Sequence, residues 1–97
     1  MKYARFGLFD INPAQRADVE ALADAVHDLM RQAAGFVSVR FIIDEAAGKA
    51  GSLSVWESKE LHDAYAEKAF PAVVAKIQSA GLTAPAIQEF EVYEPKG

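Results

Sequence analysis

In residues 51–58, GSLSVWES, apolar and polar positions alternate. Side chains of an extended chain point to opposite faces in turn, so Leu53 and Val55 share one face while Ser52, Ser54, Trp56 and Ser58 share the other. Three more stretches read as strands. Lys2–Ile11 is rich in aromatic and branched residues, Phe36–Asp44 has very high β propensity, and Ala84–Glu94 runs up to a terminating Pro95. Between them the period becomes helical. INPAQ opens the first helix, with Asn12 as cap, Pro13 at the first helical position and Gln15 able to complete a capping box. Val19, Leu22, Ala23, Val26, Leu29, Met30 and Ala33 then form one apolar stripe, and Gly35 closes the element. EAAGKAG reads as a hairpin loop that makes the second and third strands antiparallel neighbours. Ser58 caps a second helix containing Leu61, Tyr65 and Ala69. Pro71 lacks a backbone donor and crowds the preceding turn, so a break is expected near Phe70. A further helical piece with Val73, Val74 and Ile77 ends at Gly81.

The resulting order, β-α-β-β-α-β, is the split pattern of a ferredoxin-like α+β fold, in which helices cover only one face of a four-stranded sheet. Alternation sorts the strand residues into two sets. Ala4, Phe6, Leu8, Val37, Val39, Phe41, Ile43, Leu53, Val55, Phe90 and Val92 are all apolar and are expected to pack on the helices. The other set mixes Tyr3, Phe9, Phe36, Trp56 and Tyr93 with Arg5, Arg40, Glu89, Glu91, Gly7 and the serines. It is too aromatic for water and too polar for an ordinary core. The expectation is that two such faces meet across a dimer axis, enclosing an interior that Trp56 and its serines look into. In the plainer alternative these residues only fill the dimer interior, with Arg–Glu pairs tying the strands.

Composition narrows the function classes. Ninety-seven residues make one expected domain, 1–97, and 52% hydrophobic with 25% charged residues belongs to a folded protein. The net charge is −4 and the ten Lys and Arg are scattered, which argues against a nucleic-acid partner. The absence of cysteine excludes disulfides, thiolate nucleophiles and Cys-type metal sites. Arg5 and Asp10 interrupt the first apolar stretch, so it does not read as a signal peptide, and no run reaches membrane-spanning length. A cytoplasmic protein with no membrane partner is expected.

GFVSVRFIIDEAAGKAGSLSVWESKELHDAY, a second helix interrupted at Pro71, and a last strand ending EFEVYEP together resemble the dimeric α/β-barrel superfamily of antibiotic-biosynthesis monooxygenases, closest to the small YdhR type. The resemblance covers nearly the whole chain and specifies fold better than activity. It implies a homodimer paired through the sheet face. Haem-degrading relatives carry an iron-ligating histidine late in helix two, a tryptophan on that helix and an asparagine on strand one. Here Ala75 and Tyr65 fall near the first two positions and strand one has no asparagine, which sets haem aside. His27 and His62 lie on different helices without HExxH or paired ExxH spacing, so no metal is expected; with no Gly-rich phosphate cradle, no flavin or nucleotide is either.

What the resemblance leaves is a cofactor-free route, in which an acidic aromatic, a phenol or anthrone, loses a proton and its carbanion passes an electron to dioxygen. Such a site needs a ring platform, a positive group and a base. Trp56, Phe9, Tyr93 and Tyr3 are candidates to hold the ring, with Ser54 and Glu91 beside them. Arg5 and Arg40 are candidates to stabilise the anion, and His62, Tyr65, Glu89 or Glu91 to take or relay the proton. The alternative is a non-oxygenase of the same fold, either a small-molecule binding protein or an isomerase or cyclase.

Overall fold

A computed structural model describes residues 1–96. Strand β1 (Tyr3–Asp10) leads through a short 3-10 turn (Pro13–Gln15) into helix α1 (Arg16–Met30). Strands β2 (Phe36–Asp44) and β3 (Lys49–Trp56) form a hairpin, followed by helix α2 (Lys59–Ser79) and strand β4 (Ala86–Glu91). The sheet is antiparallel in the order β2-β3-β1-β4, the ferredoxin-like arrangement expected from the pattern.

Local chemistry fixes the element ends. Asn12 accepts from the Ala14 amide and Gln15 from the Asn12 amide, the expected capping box. Asp44 closes the hairpin by accepting from the Ala47 amide, and the Ser58 hydroxyl caps α2 by accepting from the Leu61 amide at 3.2 Å. Gly51 is required for another reason: a Cβ there would run into the carbonyl oxygen of Gly7 on the adjacent strand.

Two expectations fail. The second helix is not broken: α2 is continuous from Lys59 to Ser79 with Pro71 inside it. Pro71 lies on the exposed side, where the one backbone acceptor it leaves free can be hydrated, and the helix continues beyond it to Ser79.

The assignment of faces is reversed on three of the four strands. The registers place Tyr3 opposite Trp56, Arg5 opposite Ser54, and Glu89 opposite Arg5, and this mixed set lies under the helices. Ala4, Phe6, Leu8, Leu53, Val55 and Phe90 form the uncovered face instead; Leu53 is 40% and Phe90 49% exposed. On β2 an irregularity between Phe36 and Ser38 changes the phase. Phe36 therefore joins Val39, Phe41 and Ile43 on the helix side, while Ser38, Arg40 and Ile42 look outward. The physical reason is that apolar burial is non-directional. An all-apolar face must be covered, but its own helices and a second molecule satisfy it equally.

Beneath the helices, packing is concentrated at the two ends of the sheet. At one, Ile11, Val19, Ala50 and Leu82 are buried together with Phe9, Ile43 and Ile77 against them. At the other, Trp56 is completely buried among Tyr3, Phe36, His62 and Tyr65. The space between is open. No helix among the described residues is long and apolar enough to cross a membrane.

Candidate functional site

The open space is a cavity of about 760 Å³ between the sheet and helices of the chain. It exists because the sheet is locally thin: Gly7, Gly51, Ser52 and Ser54 provide little side-chain volume on its floor. Phe9, Phe41, Ile43 and Ile87 complete the floor, and Phe70, Val73, Val74 and Ile77 of α2 form much of the roof. This is the mostly apolar enclosure with few polar groups that suits a small ring-containing ligand. The interior expected between two facing sheets is thus found between the sheet and the helices of a single chain.

At its polar end the wall carries Arg5, Ser54, His62 and Tyr65. Arg5, half-buried on β1, is the only Lys or Arg on the wall and makes no ion pair among the described residues. Glu20 and Asp24 also reach the lining from α1, but both are exposed to solvent.

Trp56 does not itself face the open space. Its indole N–H donates to Ser54 Oγ at 3.0 Å, and its ring packs against Tyr65 at 4.9 Å and His62 at 5.3 Å. It therefore backs the two side chains that do line the cavity, rather than serving as a bare platform. Tyr3 is buried in the same cluster, 5.1 Å from the His62 ring, and its hydroxyl donates to Glu89. Burial, first, and this bond to Glu89 hold the Tyr3 phenol above its ordinary range. The same bond keeps the Glu89 carboxyl below its own, so Glu89 is a weak base committed to Tyr3.

His62 is the more capable proton acceptor. It is 4% exposed, and its Nδ1 lies 3.0 Å from Asp63 Oδ1. Burial pushes its imidazolium below 6.5; Arg5 adds to that, and Asp63 partly opposes it. The ring is accordingly neutral near pH 7. Asp63 is held ionised by Lys59 Nζ at 2.8 Å and by His62. Tyr65 Oη is the one fully buried side-chain polar atom without a partner among the described residues, and burial raises its phenol.

The structure gathers Arg5, Phe9, Ser54, His62 and Tyr65 around the cavity, with Trp56 and Tyr3 behind them. Three candidates lie elsewhere. Arg40 is exposed on the outer face of β2 and donates to the Val39 carbonyl at 3.1 Å; Glu89 and Glu91 are on β4, at the opposite edge of the sheet, so neither can be its partner within the protomer. Tyr93 follows β4 and is 69% exposed. Glu91 pairs in register with Tyr3 but is exposed and absent from the wall. Sequence reasoning missed Phe70 and Asp63. Phe70 was overlooked because a break was expected beside it. The His62-Asp63 dipeptide was the available signal for the other. Among the described residues no three His, Asp or Glu side chains cluster as metal ligands would.

No protein-family description matches the chain, and no curated protein is similar to it in sequence. Solved structures do match. SnoaB, a cofactor-independent oxygenase from Streptomyces nogalater, superposes with a TM-score of 0.80 at 14% identity, over 97% of this chain and 95% of that one. A protein from Deinococcus radiodurans provisionally named as an antibiotic biosynthesis monooxygenase gives 0.82 at 13% identity, over 98% and 96%. Rv0793 from Mycobacterium tuberculosis gives 0.76 at 19% identity, over the full length of both chains. At such identities the likeness speaks for architecture alone, and it is consistent across the set: the chain has the ferredoxin-like fold of the antibiotic biosynthesis monooxygenases.

Proposed function

We propose that the protein is a cofactor-independent monooxygenase of the YdhR type, acting on a small phenol- or anthrone-like aromatic held in the cavity of each protomer. The observation that carries the reading is the cavity itself, an apolar enclosure with one cation, Arg5, at its polar end that has no ion pair among the described residues. Phe9, Phe41 and Ile87 offer surfaces to a ring, and Arg5 favours the deprotonated oxygen. An anthrone-type methylene then loses two hydrogens to dioxygen; one oxygen atom becomes the new carbonyl and the other leaves as water. The likeness to SnoaB supports this reading at the level of fold. Two copies pair through the uncovered sheet face, where Ile42, Leu53 and Phe90 are exposed, and the dimer works in the cytoplasm.

One observation favours a second reading. Arg5, His62 and Tyr65 handle protons and anions, and none is particular to dioxygen. An isomerase or cyclase would use the same wall, and a binding protein only its shape and charge. Incubation of the purified protein with anthrone, with and without air and with no flavin, haem or metal added, separates these. Oxygen uptake matched by anthraquinone formation supports the oxygenase. Chemical conversion without oxygen supports the isomerase or cyclase, and binding without conversion supports the carrier.

A further inference from the structure

We propose that His62 and Asp63 act as a proton-abstracting pair, with His62 Nε2 as the base toward an enolisable or phenolic ligand and Asp63 as its positioning residue. The inference rests on the reading of the cavity as the ligand site but not on the oxygen step.

The geometry of the ring carries it. Nδ1 is occupied by Asp63 Oδ1 at 3.0 Å, and a carboxylate at that nitrogen selects the tautomer with Nδ1 protonated. The free lone pair is then on Nε2, which has no hydrogen-bond partner among the described residues. Nε2 is not sealed, because Tyr65 Oη is the only fully buried side-chain polar atom left without a partner among those residues. His62 is one of the residues that line the cavity, so a ligand there meets its ring. The ring is fixed in orientation by Tyr3 at 5.1 Å and Trp56 at 5.3 Å, so little freedom is lost when a ligand arrives.

The charges around His62 suit the task. Arg5 and Tyr3 face it from β1 and Glu89 from β4, while Asp63, Lys59 and Tyr65 accompany it on α2. Glu89 is engaged by Tyr3 and Lys59 by Asp63, which leaves Arg5 as the unpaired charge. Burial, with Arg5 adding to it, keeps the resting imidazole neutral, and Arg5 favours an anion beside it. Asp63 stabilises the imidazolium that forms.

In the proposed step a C–H or O–H bond of the ligand breaks and the proton passes to Nε2. The electron pair stays on the ligand as an enolate or phenolate next to Arg5. Return of a proton from the imidazolium closes the cycle, and no oxidant is consumed.

The step is therefore testable without oxygen. Anthrone in deuterated water under anaerobic conditions exchanges its methylene hydrogens, and the loss of their proton NMR signal gives the rate. Wild-type protein should accelerate exchange. His62→Gln should lower the protein-dependent rate by about 100-fold or more, the usual contribution of a positioned base, while still quenching Trp56 fluorescence with anthrone. Asp63→Asn should lower it by about tenfold and move the acid limb of the rate–pH profile to lower pH, since the carboxylate favours the protonated ring. A folded, anthrone-binding His62→Gln protein that exchanges at the wild-type rate overturns the proposal, as does a wild type that binds anthrone without accelerating exchange. An unmoved acid limb in Asp63→Asn removes Asp63 from it, and that profile decides the matter should His62→Gln fail to fold. Failure of the wild type to bind anthrone overturns both this proposal and the reading of the cavity. Exchange without oxygen uptake in air overturns only the oxygenase.

Discussion

The two faces of the sheet invert the usual division of labour. The face covered by the helices carries Arg5, Glu89, two serines and a glycine among its aromatics, while the uncovered face presents Phe6, Leu8, Ile42, Leu53, Val55 and Phe90. An ordinary core would be built the other way round. The difference follows from what each face has to do. The covered face must keep a space open, so it uses small residues on the floor and aromatic rings at one end as supports. The uncovered face encloses nothing within the chain; it is mostly apolar, with Ser38, Arg40 and Gln88 as its polar members. Apolar character tells how strongly a face wants cover; it is silent about what supplies the cover.

The sharpest way to break this contrast is to remove the support of the covered face. Trp56→Ala deletes a side chain with no exposed surface and three ring neighbours, Phe36, His62 and Tyr65, so a loss of about 3–5 kcal/mol in denaturant unfolding is expected. A loss under about 1 kcal/mol would mean that the aromatic end is not what holds α2 over the cavity. Leu53 on the other face should behave differently. Wild-type protein at micromolar concentration should sediment at twice the 10.5 kDa chain mass, and Leu53→Asp should sediment as a monomer that keeps its helical circular dichroism. A wild type that sediments as a single chain would refute pairing through that face.

Most of the architecture was legible in the chain. Strand alternation, the Asn12 and Ser58 caps and the hairpin loop each act locally, so residues a few positions apart reveal them. The phase of the faces was not legible, because alternation does not say which element covers an apolar face and because an irregularity at Val37 shifts β2 by one residue. The same error misplaced Trp56, expected between two sheets and found beneath α2. Arg40 does lie on the face away from the helices, as expected for β2, but Arg5 and Trp56 lie on the other face, so Arg40 does not join them. Arg5, by contrast, was named as an anion-stabilising candidate and does reach the cavity wall. Pro71 shows the limit of a single-residue rule. The proline's cost, about 3 kcal/mol in a helix interior, does not end a helix whose next turns pack Ile77 against the core.

The arginines give a finer comparison of the faces. Arg5→Met keeps much of the side-chain volume and removes the only Lys or Arg charge on the wall. Affinity for 1-naphthol above its own ionisation should fall by roughly tenfold, about 1.4 kcal/mol, as read by Trp56 quenching. Arg40→Met should leave that affinity unchanged and act, if at all, on the dimer. Equal losses from the two substitutions would mean that the outer face contributes to the site after all.

The smallest expected effect is a pH slope that belongs to the covered face alone. Burial depresses the folded-state pKa of His62 below 6.5, its value in an unfolded chain. Between those two values the unfolded state binds more protons than the folded one, so stability rises with pH across that window. Acidification from about pH 7.5 should therefore begin to lower the melting temperature as 6.5 is approached, and His62 should add nothing further once pH falls below its folded value. Asp63 and Glu89 carry depressed folded-state pKa values and also lose stabilisation on acidification, but through their own lower carboxylate range, so the two regions separate. His62→Gln cannot titrate. Its melting temperature should be flat where the wild type slopes, whatever its absolute stability. Parallel curves for the two proteins between about pH 5.5 and 7.5 would show that His62 is not held neutral by burial beside Arg5, and the covered face would lose its claim to a base ready at neutral pH.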